Sequence, residues 1–269
     1  MFKKMEHTQV LKWNGKQSKQ KHHFTLPSPS LRCLIIGSSN CGKTCLLLKL
    51  LLDQGWLDYN DLYIYSNSLY QPEYKLMKNV FQKGYTKENV KDFLKKGMGD
   101  IDKFIQTIPR KSHKPAINLN MYDTSEIIPD PKDINPKRKS LIVFDDIMTE
   151  KNQDPASAYY TRGRHNNVSC IYISQNYHRL PRQTIRTNCN FLILFNIPKK
   201  DLQNIYNDII SNDMSWEEFN SFCQEVFRTK YSFVAINKDA NVLDGKYYKN
   251  LNTMFIPKNF VNKNDHISN

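Results

Sequence analysis

Eight residues, Gly37-Ser38-Ser39-Asn40-Cys41-Gly42-Lys43-Thr44, match the phosphate-loop pattern G-x-x-x-x-G-K-[ST] at every fixed position. Glycine lets a backbone fold around an anion so that successive N–H groups point inward. A helix opening behind the loop adds its positive end. In such a loop the backbone of Gly37, Ser38, Ser39, Asn40, Cys41 and Gly42 cradles phosphate. Lys43 then reaches the β and γ phosphates, and the Thr44 hydroxyl holds Mg²⁺.

Hydrolysis needs a carboxylate beside the loop. Leu141-Ile142-Val143-Phe144 runs into Asp145-Asp146. An acid that ends an apolar strand falls at the carboxyl edge of a parallel sheet, where Asp145 joins Thr44 as a metal ligand. Asp146 stands where it can polarise the attacking water. Asp is one methylene shorter than the glutamate usual at that second position, so its role as general base stays open. Gln175 also ends an apolar run; a neutral amide there bonds both a γ-phosphate oxygen and the lytic water, or merely caps the strand.

Arg162 and Arg164 precede that same strand, at the sheet edge opposite Gln175. They either complement a helix C-terminus or reach a nucleotide held by a neighbouring subunit, as a finger supplied in trans. Arg179, Arg182 and Arg186 follow Gln175, with Tyr177 and His178 alongside. That cluster suits phosphate-backbone contact, or is a solvated basic loop.

These residues need a strand before the loop and a helix after it. Leu31 to Ile36 reads as a buried strand, and residues 43–53 as a helix ending near Gly55. Further strands are expected at Asp61–Ser66, Ser140–Asp146, Ser169–Gln175, Phe191–Phe195 and Tyr231–Ile236, with a short extended piece near Ile117–Tyr122. Helices are expected over 72–108, broken at Gly84, Gly97 and Gly99, and over 154–165, 199–211 and 215–228. The last opens with Ser215-x-x-Glu218, a capping box. Residues 109–139 carry five prolines and read mainly as loop, and Asp244-Gly245 predicts a hairpin turn. Strands alternating with helices predict an α/β fold: a central, mostly parallel sheet flanked by helices. The domain expected spans 26–257, with a helical and loop insertion at about 72–139. Residues 1–25, with Glu6 as their only acid, read as a flexible basic arm, and 258–269 as a loose tail.

The chain has 269 residues and a formal net charge of +13, which suits a polyanionic partner, most simply nucleic acid. Five of its nine arginines lie between residues 162 and 186, inside a stretch from Pro155 to Lys200 that contains no Asp or Glu. No apolar run approaches bilayer length, and the lysine-rich start lacks the apolar core of a signal peptide. No membrane partner is expected, and the localisation expected is intracellular. The six cysteines are scattered and read as reduced thiols; Cys41-x-x-x-Cys45 has no second pair with which to bind zinc.

Together these motifs resemble the HerA/FtsK superfamily of P-loop ATPases. Within it, they look like the genome-packaging ATPases of poxviruses, other large DNA viruses, virophages and Polinton elements. Four stretches carry the resemblance: Gly37–Thr44, Leu141–Asp146, Tyr160-Thr161-Arg162-Gly163-Arg164-His165-Asn166-Asn167, and Ile173-Ser174-Gln175 with Leu180-Pro181, Ile185-Arg186 and Asn188. The segment Tyr63-Ile64-Tyr65-Ser66 with Gln71-Pro72-Glu73-Tyr74 is similar to the Polinton and virophage members. The likeness covers about residues 30–237. It implies a RecA/ASCE-like P-loop NTPase fold, with Gln175 as γ-phosphate sensor and an arginine before its strand as trans finger. Arg164 fits that role best by spacing, and Arg162 is the alternative. It also implies a ring of five or six subunits that pumps double-stranded DNA. Cutting of DNA is not expected, since no appended nuclease domain is read in the sequence.

The function so expected is an ATP-hydrolysing, Mg²⁺-dependent DNA translocase that packages a viral or virus-like genome. Its partners would be double-stranded DNA, further copies of itself in a pentameric or hexameric ring, and capsid proteins. It would work in the host cytoplasm or nucleus where virions assemble, or in the virion. The rivals are a replicative helicase or translocase, a small-molecule P-loop kinase, and a non-enzymatic nucleotide switch or capsid scaffold.

Overall fold

The computed structural model describes residues 2–4, 23–27, 30–52, 55–83 and 117–261. Among them the strands are β1 Phe2–Lys4, β2 Arg32–Ile36, β3 Asp61–Ser66, β4 Asn118–Tyr122, β5 Ser140–Asp145, β6 Val168–Ser174, β7 Phe191–Leu194, β8 Val234–Asn237, β9 Tyr247–Lys249 and β10 Thr253–Phe255. The α-helices are α1 Lys43–Leu52, α2 Pro72–Lys83, α3 Asp154–Arg162, α4 Lys199–Ile205, α5 Trp216–Phe227 and α6 Lys258–Val261. The chain divides into two compact units, with the boundaries between Cys41 and Gly42 and between Ile173 and Ser174.

The unit holding residues 42–173 has strand order β6-β5-β3-β4, and its described pairs are parallel. Leu141, Ile142, Val143 and Phe144 are all buried, because β5 has a strand on each side and is covered on both faces. That is why its sequence is apolar throughout rather than alternating. On α1, Leu47, Leu48, Leu50 and Leu51 are buried while Cys45 and Lys49 are exposed. Each buried leucine contributes roughly 1.5–3 kcal/mol. α2 packs on α1 and on β4. α3 passes at Gly163 into a 3-10 turn, Gly163–Asn166, that ends in Asn167 at φ 58°. Asn tolerates that left-handed conformation, and it turns the chain into β6.

The other unit comprises Phe24–Cys41, the chain from Ser174 onward, and β1. Its strand order is β1-β10-β9-β8-β7-β2. β2 and β7 run parallel, with Ile36 opposite Leu194; the remaining described pairs are antiparallel. Tyr231 sits at φ 65°, so β8 begins at Val234 rather than at Tyr231. Gly245, at φ 97°, does turn the chain between β8 and β9. It closes a connection that includes a 3-10 turn at Val242–Asp244, not a two-residue hairpin. α4 continues into a π-type turn, Tyr206–Ile210.

Two segments read as irregular contain structure. Phe2–Lys4 pair with β10, Phe2 opposite Phe255, and Thr25 and Leu26 are buried. Edge pairing uses backbone groups alone, so a lysine-rich composition does not reveal it. At the other end, the backbone N–H of Lys258 donates to Glu218 Oε1 at 2.7 Å and starts α6. This splits the capping box. Ser215 Oγ accepts from Glu218 N–H at 3.2 Å, but the Glu218 side chain serves α6 instead of reaching back to Ser215. The expected helix beyond Lys83, with its breaks at Gly84, Gly97 and Gly99, most of residues 1–25, and 262–269 lie outside the described residues.

Candidate functional site

The loop leaves β2 at Gly37. Gly37 N–H donates to the Ser174 carbonyl at 3.1 Å, Phe195 N–H to the Ile36 carbonyl at 2.9 Å, and the Ser38 hydroxyl to the Asn196 carbonyl at 3.2 Å. These bonds tie the start of the loop to the ends of β6 and β7. Asn40 and Gly42 occupy the left-handed region, at φ 58° and 101°. Gly37 does not, and is needed for another reason. A Cβ there would lie 2.6 Å from Cys41 Sγ and 2.7 Å from Phe195 Cβ. Leu46 N–H then donates to the Gly42 carbonyl at 2.9 Å, opening α1 with Lys43 and Thr44 as its first two residues.

Gln175 follows the last residue of β6 and is exposed. Ser174 Oγ accepts from Asn176 N–H at 3.1 Å, turning the chain off the sheet at this point. Because Ser174 also receives the Gly37 N–H, Gln175 adjoins the start of the loop.

In the unit of residues 42–173, β5 ends in Asp145, which is only 8% exposed. Its register neighbours are Ser66 on β3 and Ile173 on β6. Burial pushes its carboxyl above the ordinary value. A hydrogen bond from the Tyr74 hydroxyl to Oδ2 opposes this, the Asp146 charge reinforces it, and the Lys43 charge opposes it. The Tyr74 phenol is itself pushed well up, first by burial and then by the Asp145 charge, so it remains a donor. Asp146 stands just past the strand at φ 56°, exposed. Its Oδ2 accepts from the Ser68 hydroxyl, and its carbonyl from Asn67 Nδ2 at 3.4 Å.

These residues fit Mg²⁺. A buried carboxylate whose charge is penalised by desolvation and only partly offset is relieved by a cation. No group of three or more His, Cys, Asp or Glu side chains is placed to hold a metal among the described residues.

The arginines separate into two kinds. Arg162, at the end of α3, pairs with Asp130 at 3.2 Å. Arg164 is exposed, and its side chain makes no hydrogen bond or ion pair with the described residues. Both precede Val168, which pairs with Ser140 at the start of β5. Asp145 lies at the far end of β5, roughly 17 Å along the strand at about 3.3 Å per residue.

Part of the cluster after Gln175 turns inward. Arg186 pairs with Asp208 at 3.0 Å and lies over the Tyr177 ring at 5.0 Å; its side chain is only 14% exposed. Tyr177, fully buried, donates to Asp208 at 3.1 Å, Arg182 pairs with Asp208 at 3.4 Å, and His178 Nδ1 lies 2.7 Å from Asp201. Tyr177 and Arg186 are thus taken up in packing, where Asp201 and Asp208 supply the acids that the stretch itself lacks, while the His178 side chain stays 41% exposed. Arg179 is exposed and unengaged among the described residues. Tyr74 and Ser68 are the site residues that motif reasoning missed. The signal available was Ser66-Asn67-Ser68, a polar end to an otherwise apolar strand.

Residues 126–237 match the model of the poxvirus A32 protein family. Among solved structures, the chain is similar to the genome packaging NTPase B204 of Sulfolobus turreted icosahedral virus 2, solved with sulfate. Identity is 13%, the TM-score is 0.50, and 83% of this chain and 96% of that one are covered. It is also similar to VirB4 of Thermoanaerobacter pseudethanolicus, at 10% identity and a TM-score of 0.43, covering 78% of this chain and 87% of that one. No curated protein sequence matches. At this identity the B204 likeness speaks to the fold. The span matched by the family model includes Asp145, Arg164 and Gln175 but not the loop at 37–44. The chain thus shares the fold of the B204 NTPase and, over residues 126–237, is similar to the poxvirus A32 protein family.

Proposed function

We propose that the chain is an ATP-driven motor that moves double-stranded DNA into a viral or virus-like capsid, acting as a homo-oligomeric ring with capsid proteins as partners. It would work in the infected host cell, or in the virion. Among the described residues no helix is long and apolar enough to cross a membrane. The loop backbone and Lys43 bind the triphosphate; Thr44 and Asp145 hold Mg²⁺, which neutralises phosphate charge when bound. Asp146 accepts from or orients the attacking water, and Gln175 contacts the γ-phosphate.

The observation that carries the ring is Arg164. It is exposed and lies at the opposite end of β5 from Asp145, away from its own chain's metal-holding carboxylate. That position supports reading it as the residue that completes a neighbour's site. Arg162, already paired with Asp130, is the weaker choice. Packaging as the purpose draws on the poxvirus A32 match, and on B204, a genome packaging NTPase that shares the fold.

The test is ATP turnover with and without duplex DNA, with particle size followed in parallel. Turnover should rise with duplex and with assembly, and Lys43→Ala should abolish it. Arg164→Ala should assemble yet lose turnover by about 10³-fold or more. A monomer indifferent to duplex sinks the motor reading, and an active Arg164→Ala ring sinks the finger. Strand separation in an unwinding assay would favour a helicase, and phosphoryl transfer to a small acceptor a kinase.

A further inference from the structure

We infer that Tyr74 positions Asp145 for Mg²⁺, and that the turn joining β3 to α2 thereby sets the metal affinity of the site. This rests on the reading of Asp145 as the metal-holding carboxylate. Tyr74 lies in the first turn of α2, where its N–H donates to the Gln71 carbonyl at 3.1 Å. It is fully buried, and its hydroxyl donates to Asp145 Oδ2. A strand-end carboxylate otherwise turns freely about its last torsion. A bond from a buried phenol fixes the plane of the group, and so the direction in which it offers electrons to a cation. Leu76, Met77 and Phe81 are buried on the same helix, so α2 is anchored in the core on the side that carries Tyr74.

The rest of the turn reinforces this. Ser66 lies directly across from Asp145 in the sheet and interacts with the Tyr74 phenol. Ser66 Oγ accepts from Ser68 N–H at 3.0 Å, and the Ser68 hydroxyl donates to Asp146 Oδ2. The one segment therefore grips both acids. Packing alone does not call for this chemistry: phenylalanine would fill the same space without a polar atom to satisfy. Groups that bond to metal ligands typically govern metal affinity or activity by about 10- to 100-fold.

The experiment uses the full chain with Tyr74→Phe, which keeps the ring. A fluorescent ATP analogue is bound while Mg²⁺ is titrated, and again in EDTA; turnover is measured across the same Mg²⁺ range. The Mg²⁺ midpoint should rise by about 10- to 100-fold, with turnover recovering at saturating Mg²⁺. Nucleotide affinity in EDTA should be unchanged. An unchanged midpoint, or an equal loss of affinity in EDTA, overturns the inference. Should Tyr74→Phe fail to fold, Ser66→Ala carries the test: it should move the midpoint in the same direction by a smaller factor, and an unmoved midpoint overturns the inference. Asp145→Asn separates the two levels. If it abolishes Mg²⁺ dependence while Tyr74→Phe does not change it, Tyr74 alone is misassigned; if Asp145→Asn leaves the midpoint in place, the metal reading itself is wrong.

Discussion

Gly37→Ala tests whether the phosphate loop depends on close approach rather than on unusual torsions at its first residue. Its φ is not left-handed, so alanine meets no backbone penalty there. The obstacle is space. The added methyl would sit 2.6 Å from Cys41 Sγ and 2.7 Å from Phe195 Cβ, where non-bonded carbon contacts prefer about 3.5–4.0 Å. The loop must therefore move by roughly 0.8–1 Å. Phe195 Cβ cannot readily yield, because it is attached directly to backbone whose N–H donates to the Ile36 carbonyl. Overpacking of this size costs about 1–3 kcal/mol, which lowers the melting temperature by roughly 2–4 °C per kcal/mol in a chain of this size. A displacement near 1 Å at a reacting centre costs about 10²-fold in rate. The assays are calorimetric melting, affinity for a non-hydrolysable ATP analogue, and single-turnover hydrolysis. Adding Cys41→Ala removes one of the two clashes and should restore only part of the loss. Wild-type melting and turnover in Gly37→Ala would refute the steric account, and complete rescue by Cys41→Ala would refute the role given to Phe195.

Arg138→Ala should destabilise the chain, since Asp61 accepts from Arg138 Nε at 2.6 Å and from a terminal guanidinium nitrogen at 2.8 Å. The bonded guanidinium, with Asn118, holds the Asp61 carboxyl below the usual range. Its stabilisation is thus full above the unfolded value of about 3.9 and is lost as pH falls through the lowered folded value. The gap between wild type and variant should be constant from pH 5 upward and close in acid; a gap that widens in acid would be the wrong sign. Arg179→Ala should weaken duplex binding and reduce its salt slope by about 1 without changing the melting temperature. Arg186→Ala should do the reverse, lowering the melting temperature because Asp208 loses the more buried of its two arginine partners; equal effects of the two on DNA binding would contradict this division. Ser215→Ala should cost about 1 kcal/mol of stability, read by denaturant midpoint, since the N-cap bond to Glu218 is intact.

The loop was legible because several local signals coincide at one place: an apolar run to Ile36, fixed glycines, and a leucine-rich helix. Asp145 was legible because a strand buried on both faces carries no polar residue to confuse its end. Residues one step past a strand were harder to place. Asp146 and Gln175 fall just outside β5 and β6, because the chain turns off the sheet where the site begins. What escaped was whatever depends on partners distant in sequence. The stretch without acids after Asp154 suggested a basic surface, yet Asp201 and Asp208 close on it from 22 to 31 positions away. Tyr74 and Asp145 are 71 positions apart, and only the pairing of Ser66 with Asp145 makes them neighbours. Spacing rules cannot supply that register.

β1 has a consequence for handling the protein. Three residues, two of them lysine, cover the outer edge of β10, where Thr253, Met254 and Phe255 would otherwise present unpaired backbone donors and acceptors. Short, charged edge strands of this type protect a sheet from joining another. A chain trimmed at its N-terminus, or blocked there by a bulky tag, therefore offers an open template to a strand from a second copy. Filaments or swapped dimers formed by such a chain would be products of a missing edge guard, and would say nothing about the working assembly.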